Sequence, residues 1–353
     1  MKRLFAMVLA LIMVFSLVGC NTASTDDQSN KDNTTTTNPT DNTDKNTDNK
    51  DTDNKTTTPT GEKLKIGVST NALANTHNRH MFEGVIAVAK ERGHEVVEAN
   101  ANGDAAQQAN DVENLVQAGC DVIVIQNGDN FTLKNSVAEA LKAGVHIISH
   151  DTGWIDGIDT MFQLNSIKVQ ADICMLLAAE VGFSGKIITT GHQDVFALRA
   201  GAYMHDAFLQ EYDFEEVAHV QTTFPGTTEV TYNGLDSALT AHPDVVAIFT
   251  SQDLEAMGAV QALKEHGLDK TVKCIGVDGE VDTLNDIKAG GPTICTAIAD
   301  LDGANLAVVE TAEKICAGET VSKYHEVPYN IVTKDNVDEF LAKAEAESSK
   351  YAG

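Results

Sequence analysis

The sequence predicts an α/β protein built as two doubly wound parallel-sheet lobes. Three observations carry that reading. Short β-branched runs alternate with helical stretches that stop at glycine, each run ends in polar residues, and the series starts again halfway along the chain. The clearest run lies within Gly144–Gly153, GVHIISHDTG. A run apolar on both faces reads as a buried strand of a parallel sheet, because helices cover both sides of such a sheet. Ligands of open α/β sheets bind at the carboxyl ends of the strands, where Ser149, His150 and Asp151 fall.

In chain order, the first strand is LKIGVS from Leu64, ending at Ser69-Thr70-Asn71. A helix over 78–92 follows, with Met81, Val85, Val88 and Ala89 on one face and Gly93 as its stop. HEVVEAN is the second strand. A helix over 105–118 turns Val112, Leu115 and Val116 inward and stops at Gly119. CDVIVI is the third strand, closed by Gln126-Asn127, and a helix over 132–143 leads into the GVHIISHDTG run. Strand, helix, glycine and strand again is the pattern of a parallel doubly wound sheet. It then repeats. KIITT ends at Gly191-His192, a helix spans 195–210, EEVAHVQ is a strand and 229–241 a helix. The strand 245–250 ends at Ser251-Gln252-Asp253, a helix over 254–266 stops at Gly267, and VKCIGV ends at Asp278-Gly279. Two copies of one architecture imply two similar lobes, and clefts between domains favour small ligands.

The segment before this has another character. Lys2 and Arg3 precede an apolar run, Leu4 to Val18, that is short for a membrane span and reads as a targeting signal. It ends Leu17-Val18-Gly19-Cys20, which resembles the lipobox of bacterial lipoproteins and implies lipidation of Cys20. Residues 21–62 are rich in Asn, Thr, Asp and Lys. They carry too few apolar groups to offset chain entropy, so a disordered tether is expected, its length pointing to a Gram-positive surface. Net charge is −27, which argues against nucleic acid as a partner. The five cysteines besides Cys20 show no zinc or CxxC spacing and read as buried thiols. The 11 histidines show no HExxH or other tight ligand spacing, so no metal and no cofactor is expected.

From Leu64 to about Val332 the chain resembles the type I periplasmic binding proteins that serve ABC transporters, most of all the ribose- and galactose-binding group. The likeness is carried by Ser69-Thr70, IISHD, Leu198-Arg199-Ala200-Gly201, Thr240-Ala241-His242-Pro243-Asp244-Val245, Thr250-Ser251-Gln252-Asp253, Ile275-Gly276-Val277-Asp278-Gly279 and Thr296-Ala297-Ile298-Ala299-Asp300. The resemblance implies two lobes joined by a three-segment hinge, at 64–164 plus 301–324 and at 165–300 plus 325–345, with 346–353 as a tail. It implies a monomeric extracytoplasmic lipoprotein, anchored to the membrane through Cys20, that captures a sugar or sugar-like molecule for an ABC permease. No catalysis is expected. The chain has no Walker A sequence for ATP, no GxSxG elbow, and no Ser-His-Asp set that can be placed. An anchored sensor that signals to a chemoreceptor or sensor kinase is the alternative.

Sugar hydroxyls both donate and accept, so carboxylates and guanidinium groups suit them. Asp151, Asp278 and Arg199 are the leading candidates by chemistry and by match to the family. The family match adds Gln252, Gln126, Asn75 and Asp300. Asp253 is expected instead to cap its own helix. Where the sugar binders place two stacking aromatics in the first loop, this chain has His77 and Asn78. Trp154 or Phe131 could supply a replacement face, and the aromatic that the family places near 224–226 is not clearly aligned in this chain.

Overall fold

The computed structural model describes residues 62–73, 76–192 and 196–350. The targeting segment, Cys20, nearly all of the tether, and Asn75 lie outside the described residues. The first lobe alternates strand and helix up to its last two strands: β1 (Lys65–Thr70), α1 (Thr76–Glu91), β2 (Glu95–Asn100), α2 (Ala105–Gln117), β3 (Val122–Gln126), α3 (Lys134–Lys142), β4 (His146–His150) and then β5 (Thr160–Leu164). The chain then crosses. The second lobe holds α4 (Ser166–Glu180), β6 (Ser184–Gly191), α5 (Phe196–Glu211), β7 (Asp213–Gln221), α6 (Thr227–Ala241), β8 (Ala247–Phe249), α7 (Asp253–Glu265), β9 (Lys273–Val277), α8 (Val281–Ala289) and β10 (Thr293–Ala299). It returns for α9 (Leu301–Cys316) and β11 (Tyr324–Val327), and crosses again for β12 (Tyr329–Thr333) and α10 (Val337–Lys350).

Among the described residues these form two six-stranded sheets, in the orders β11-β5-β4-β3-β1-β2 and β12-β10-β9-β8-β6-β7. Every pairing is parallel except β10 with β12. The 2-1-3-4-5 order of each sheet reverses direction beside its first strand, and a ligand site is expected outside the strand ends at that point. The buried strands read as the sequence suggested. All five residues of β3, VIVIQ, are buried, and each fully buried Val or Ile side chain contributes roughly 1.5–3 kcal/mol. Helix α9 packs on α1 of the first lobe, where Gly84 leaves room for Asn305: a Cβ at Gly84 would lie 2.0 Å from Asn305 Nδ2.

Crossings coincide with helix starts. Asn165 caps α4 by accepting from the Lys168 amide at 3.1 Å, and Asp300 caps α9 by accepting from the Gly303 amide at 3.2 Å. The third crossing falls at Pro328. Tyr324 pairs with Met161 and Val327 with Leu164, so residues 325–327 lie in the first sheet, beyond the boundary at 324/325 implied by the resemblance. A four-residue edge strand, YHEV, has too little pattern to mark that boundary locally; pairing with β5 decides it. Residues 346–350, expected as part of a tail, continue α10, in keeping with the helix propensity of LAKAEAESSK.

Candidate ligand-binding site

The carboxyl ends of the two sheets share one cavity. From the first lobe it is lined by Asn71 after β1, His77 and Asn78 in the first turn of α1, Asn127 after β3 and Asp151 after β4. From the second lobe come Gln170 on α4, Leu198 on α5, Phe224 after β7, Ser251 and Gln252 after β8, and Asp278 after β9. It measures about 80 Å³. At roughly 10–15 Å³ per water-sized group, that holds about five to eight such groups, the scale of a small polar molecule.

Backbone conformation sets three of these side chains. Asn127, Asp151 and Asp278 have φ of 51°, 55° and 114°, in the region that disfavours most L-residues but is several-fold enriched in Asn and Asp. Each leaves its strand abruptly at that residue. Asp151 is then fixed by its own lobe: its Oδ1 accepts from the Leu164 amide at 2.7 Å and from Gln163 Nε2 at 2.9 Å. Its Oδ2 lies 3.5 Å from His77 Nε2. On the opposite side His77 Nδ1 lies 3.8 Å from Asp278 Oδ1. The imidazole therefore stands between a carboxylate of each lobe.

The electrostatics follow from this burial. Burial pulls the His77 pKa down, but the hydrogen bond to Asp151 and the charges of Asp278, Asp151 and Glu280 outweigh it and leave His77 above its ordinary 6.5. Burial pushes Asp278 up to about 7, against the attraction of His77. His150, buried beneath the cavity, is pushed down to about 4 by burial and is neutral at pH 7.

Two buried acids support the second lobe's share of the site. Asp253 Oδ2 accepts from the amides of Gly279 and Glu280 at 2.8 and 2.7 Å, and Oδ1 accepts from Thr296 Oγ1 at 2.8 Å. It holds the loop that carries Asp278. This corrects the expectation that Asp253 caps α7: the cap position is Gln252, and the Asp253 carboxyl reaches across to the next strand end. Burial, then the charge of Asp278, raise the Asp253 pKa well above its ordinary value. Glu255 accepts from Thr190 Oγ1, the Ser251 amide and Thr222 Oγ1, at 2.5, 2.8 and 2.9 Å, tying the ends of β6, β7 and β8 together. Gly201 lets α5 come this close, since a Cβ there would lie 2.4 Å from Ser251 Oγ.

Of the residues singled out from sequence, the structure brings Asp151, His77, Gln252 and Asp278 to the cavity. It places four others elsewhere. Gln126, fully buried, donates to the Met81 carbonyl at 3.0 Å and acts as a strut between β3 and α1. Arg199 turns to the first lobe's rim, with Nη1 3.6 Å from Asp129 Oδ1, Nη2 donating to Asn130 Oδ1 at 3.4 Å, and its guanidinium 5.4 Å from the Phe131 ring centre. Asp300 serves as the α9 cap, and Trp154 is 39% exposed on the surface outside the cavity. Asn75 is outside the described residues. The aromatic sought near 224–226 is Phe224, stacked with His192 at 5.5 Å.

Sequence reasoning missed the carboxamides Asn71, Asn127 and Gln170. For Asn127 a signal existed, because the last residue of a buried strand stays in the sheet and the next one leaves it. Asn127 Nδ2 donates to Asn78 Oδ1 at 2.7 Å. For Gln170, one turn into α4, no local signal marks the role.

Two doubly wound lobes with a cavity of mixed polar and apolar lining between their strand ends define a bilobal solute-binding protein. The model of the periplasmic binding protein domain matches residues 66–320, and the chain belongs to that family. It is 27% identical over 276 residues to the ribose import binding protein RbsB of Bacillus subtilis (strain 168), covering 77% of this chain and 88% of that one. It is 26% identical over 277 residues to the xylitol-binding protein of Mycolicibacterium smegmatis, covering 76% and 77%. A solved ABC transporter solute binding protein from Bacillus halodurans C-125 with bound myo-inositol superposes with a TM-score of 0.72 at 25% identity, covering 80% and 98%. All three are binding proteins by name, two of them of transport systems, and this chain is a solute-binding protein rather than an enzyme.

Proposed function

We propose that this chain is the extracytoplasmic solute-binding lipoprotein of an ABC importer, monomeric, anchored through Cys20, which captures a sugar or sugar-like polyol between its lobes and delivers it to the permease. The observation that carries the reading is the pairing of Asp151 and Asp278, from opposite lobes, across one cavity also lined with carboxamides. Carboxylates accept from adjacent hydroxyls and carboxamides both donate and accept, which suits a neutral polyhydroxylated molecule. Charge-assisted bonds contribute about 1.5–3 kcal/mol each, so a few reach micromolar affinity, about −8 kcal/mol. Capture works by population shift: a solute that touches both lobes binds the closed form better and draws the chain into it. Relatives named for ribose and xylitol and a neighbour holding myo-inositol set the first compounds to try.

The test is thermal unfolding of the mature soluble chain against pentoses, hexoses, polyols and inositols. A binder at a hundredfold excess over Kd stabilises by about 2.7 kcal/mol. Loss of that shift in Asp151→Ala supports the reading; no shift with any carbohydrate overturns it. Anchoring is read separately, as acylation of the native chain that disappears in Cys20→Ser.

A further inference from the structure

We infer that Glu280 is a closure latch that keeps a closed form populated without solute. Thr76 opens α1, a 16-residue helix with no acidic residue in its first turn. The partner for its N-terminus comes from the other lobe. Glu280 Oε1 accepts from the Thr76 amide at 2.7 Å, and Oε2 accepts from Thr76 Oγ1 at 2.8 Å. A carboxylate at a helix N-terminus gains from the helix dipole as well as from charge-assisted bonds. Glu280 does not reach this position by chance of a flexible loop, since its own amide is bound by the buried Asp253. The neighbouring residues repeat the arrangement, with His77 of α1 facing Asp278 of the same second-lobe loop at 3.8 Å. On the far rim Arg199 faces Asp129 and donates to Asn130, which joins the lobes a second time. All these bonds are made by the protein itself, and opening the lobes breaks them. Glu280 lies outside the lining of the cavity, so it acts as a positioning residue. The inference rests on the reading that the two lobes open and close around a solute.

The experiment measures interlobe distances in the full mature chain, free of solute, with spin labels carried on unnatural side chains at Lys142 of the first lobe and Lys270 of the second. The native chain should show a closed population. Glu280→Ala should lower the closed-to-open ratio by about tenfold, the equivalent of one charge-assisted bond. Thr76→Val, which keeps the amide donor, should lower it less. The double variant should lower it no further than Glu280→Ala alone. Should Glu280→Ala not fold, Glu280→Gln and Thr76→Val carry the same comparison. A native chain that is open throughout, or a Glu280→Ala ratio within about twofold of the native one, overturns the inference. The readout contains no solute, so failure of the carbohydrate screen leaves it intact.

Discussion

Replacing Asp278 with Asn should make the solute-free protein more stable at alkaline pH while weakening capture. The Asp278 side chain is 12% exposed, and burial, with the neighbouring Glu280, Asp151 and Glu255, brings its pKa up to about 7 against the pull of His77. In the unfolded chain the same carboxyl ionises near 3.8. A group whose pKa is higher in the folded state binds its proton more tightly there. The stability it provides is complete below about pH 4 and is lost as pH rises through about 7. At about 1.4 kcal/mol per unit, the full difference is roughly 4 kcal/mol. The attraction of His77 is already contained in that value, so the net gain expected at pH 8 is at most about 4 kcal/mol, with none near pH 4. For a chain of this size each kcal/mol moves the Tm by about 1–2 °C. Thermal unfolding of native and Asp278→Asn protein at pH 4.5, 6 and 8 reads the effect directly. A difference that does not grow with pH, or a native protein that is the more stable of the two at pH 8, refutes the reasoning. Affinity for the solute should fall by at least about tenfold, the loss of one charge-assisted bond.

His77 is also raised above its ordinary value, so the stability it contributes is complete below about 6.5 and fades as pH climbs through its folded value; His77→Asn should flatten the pH dependence of the Tm between 6 and 8. Glu313 accepts from Arg92 at 2.9 and 2.7 Å and meets His94 at 2.9 Å, locking α9 onto the first lobe, and Glu313→Ala should cost about 1–3 kcal/mol in denaturant unfolding. The Arg92 bond holds the Glu313 pKa below 4.5, so that contribution is present above 4.5 and vanishes as pH falls through the folded value. Gln126→Leu should alter stability by about 1 kcal/mol and leave the solute Kd unchanged, because its amide ties β3 to α1 rather than facing the cavity. Trp154→Ala should leave Kd within about twofold in titration calorimetry, and a tenfold loss would restore the stacking role that its surface position argues against.

The alternation of strands and helices was legible because the inner first-lobe strands β1, β3 and β4 are buried on both faces, which writes a nearly unbroken apolar run into the sequence. The late elements were not. β11 and β12 are short and partly polar, and their place is set by pairing with β5 and β10, residues far away in the chain. The site divides along the same physical line. Asp151 and Asp278 were readable because a carboxylate directly after a buried run has few other uses. Gln126 satisfied the same rule by position yet points into the protein. In a strand, successive side chains alternate between faces, and only leaving the sheet turns one into the cleft. That departure occurs one residue later, at Asn127, where an Asn tolerates a φ of 51°. Asn71, Asn127 and Asp151, the polar strand-end residues of the first lobe's cleft, are therefore ones that break from their strands rather than finish them. Arg199 shows the complementary limit. A helix position matched by family motif fixes where its Cα lies, but a long side chain chooses among partners, and here Asp129, Asn130 and the Phe131 ring on the opposite rim hold it. Solute hydroxyls would have to compete with those groups for the guanidinium wherever the rim contact is made.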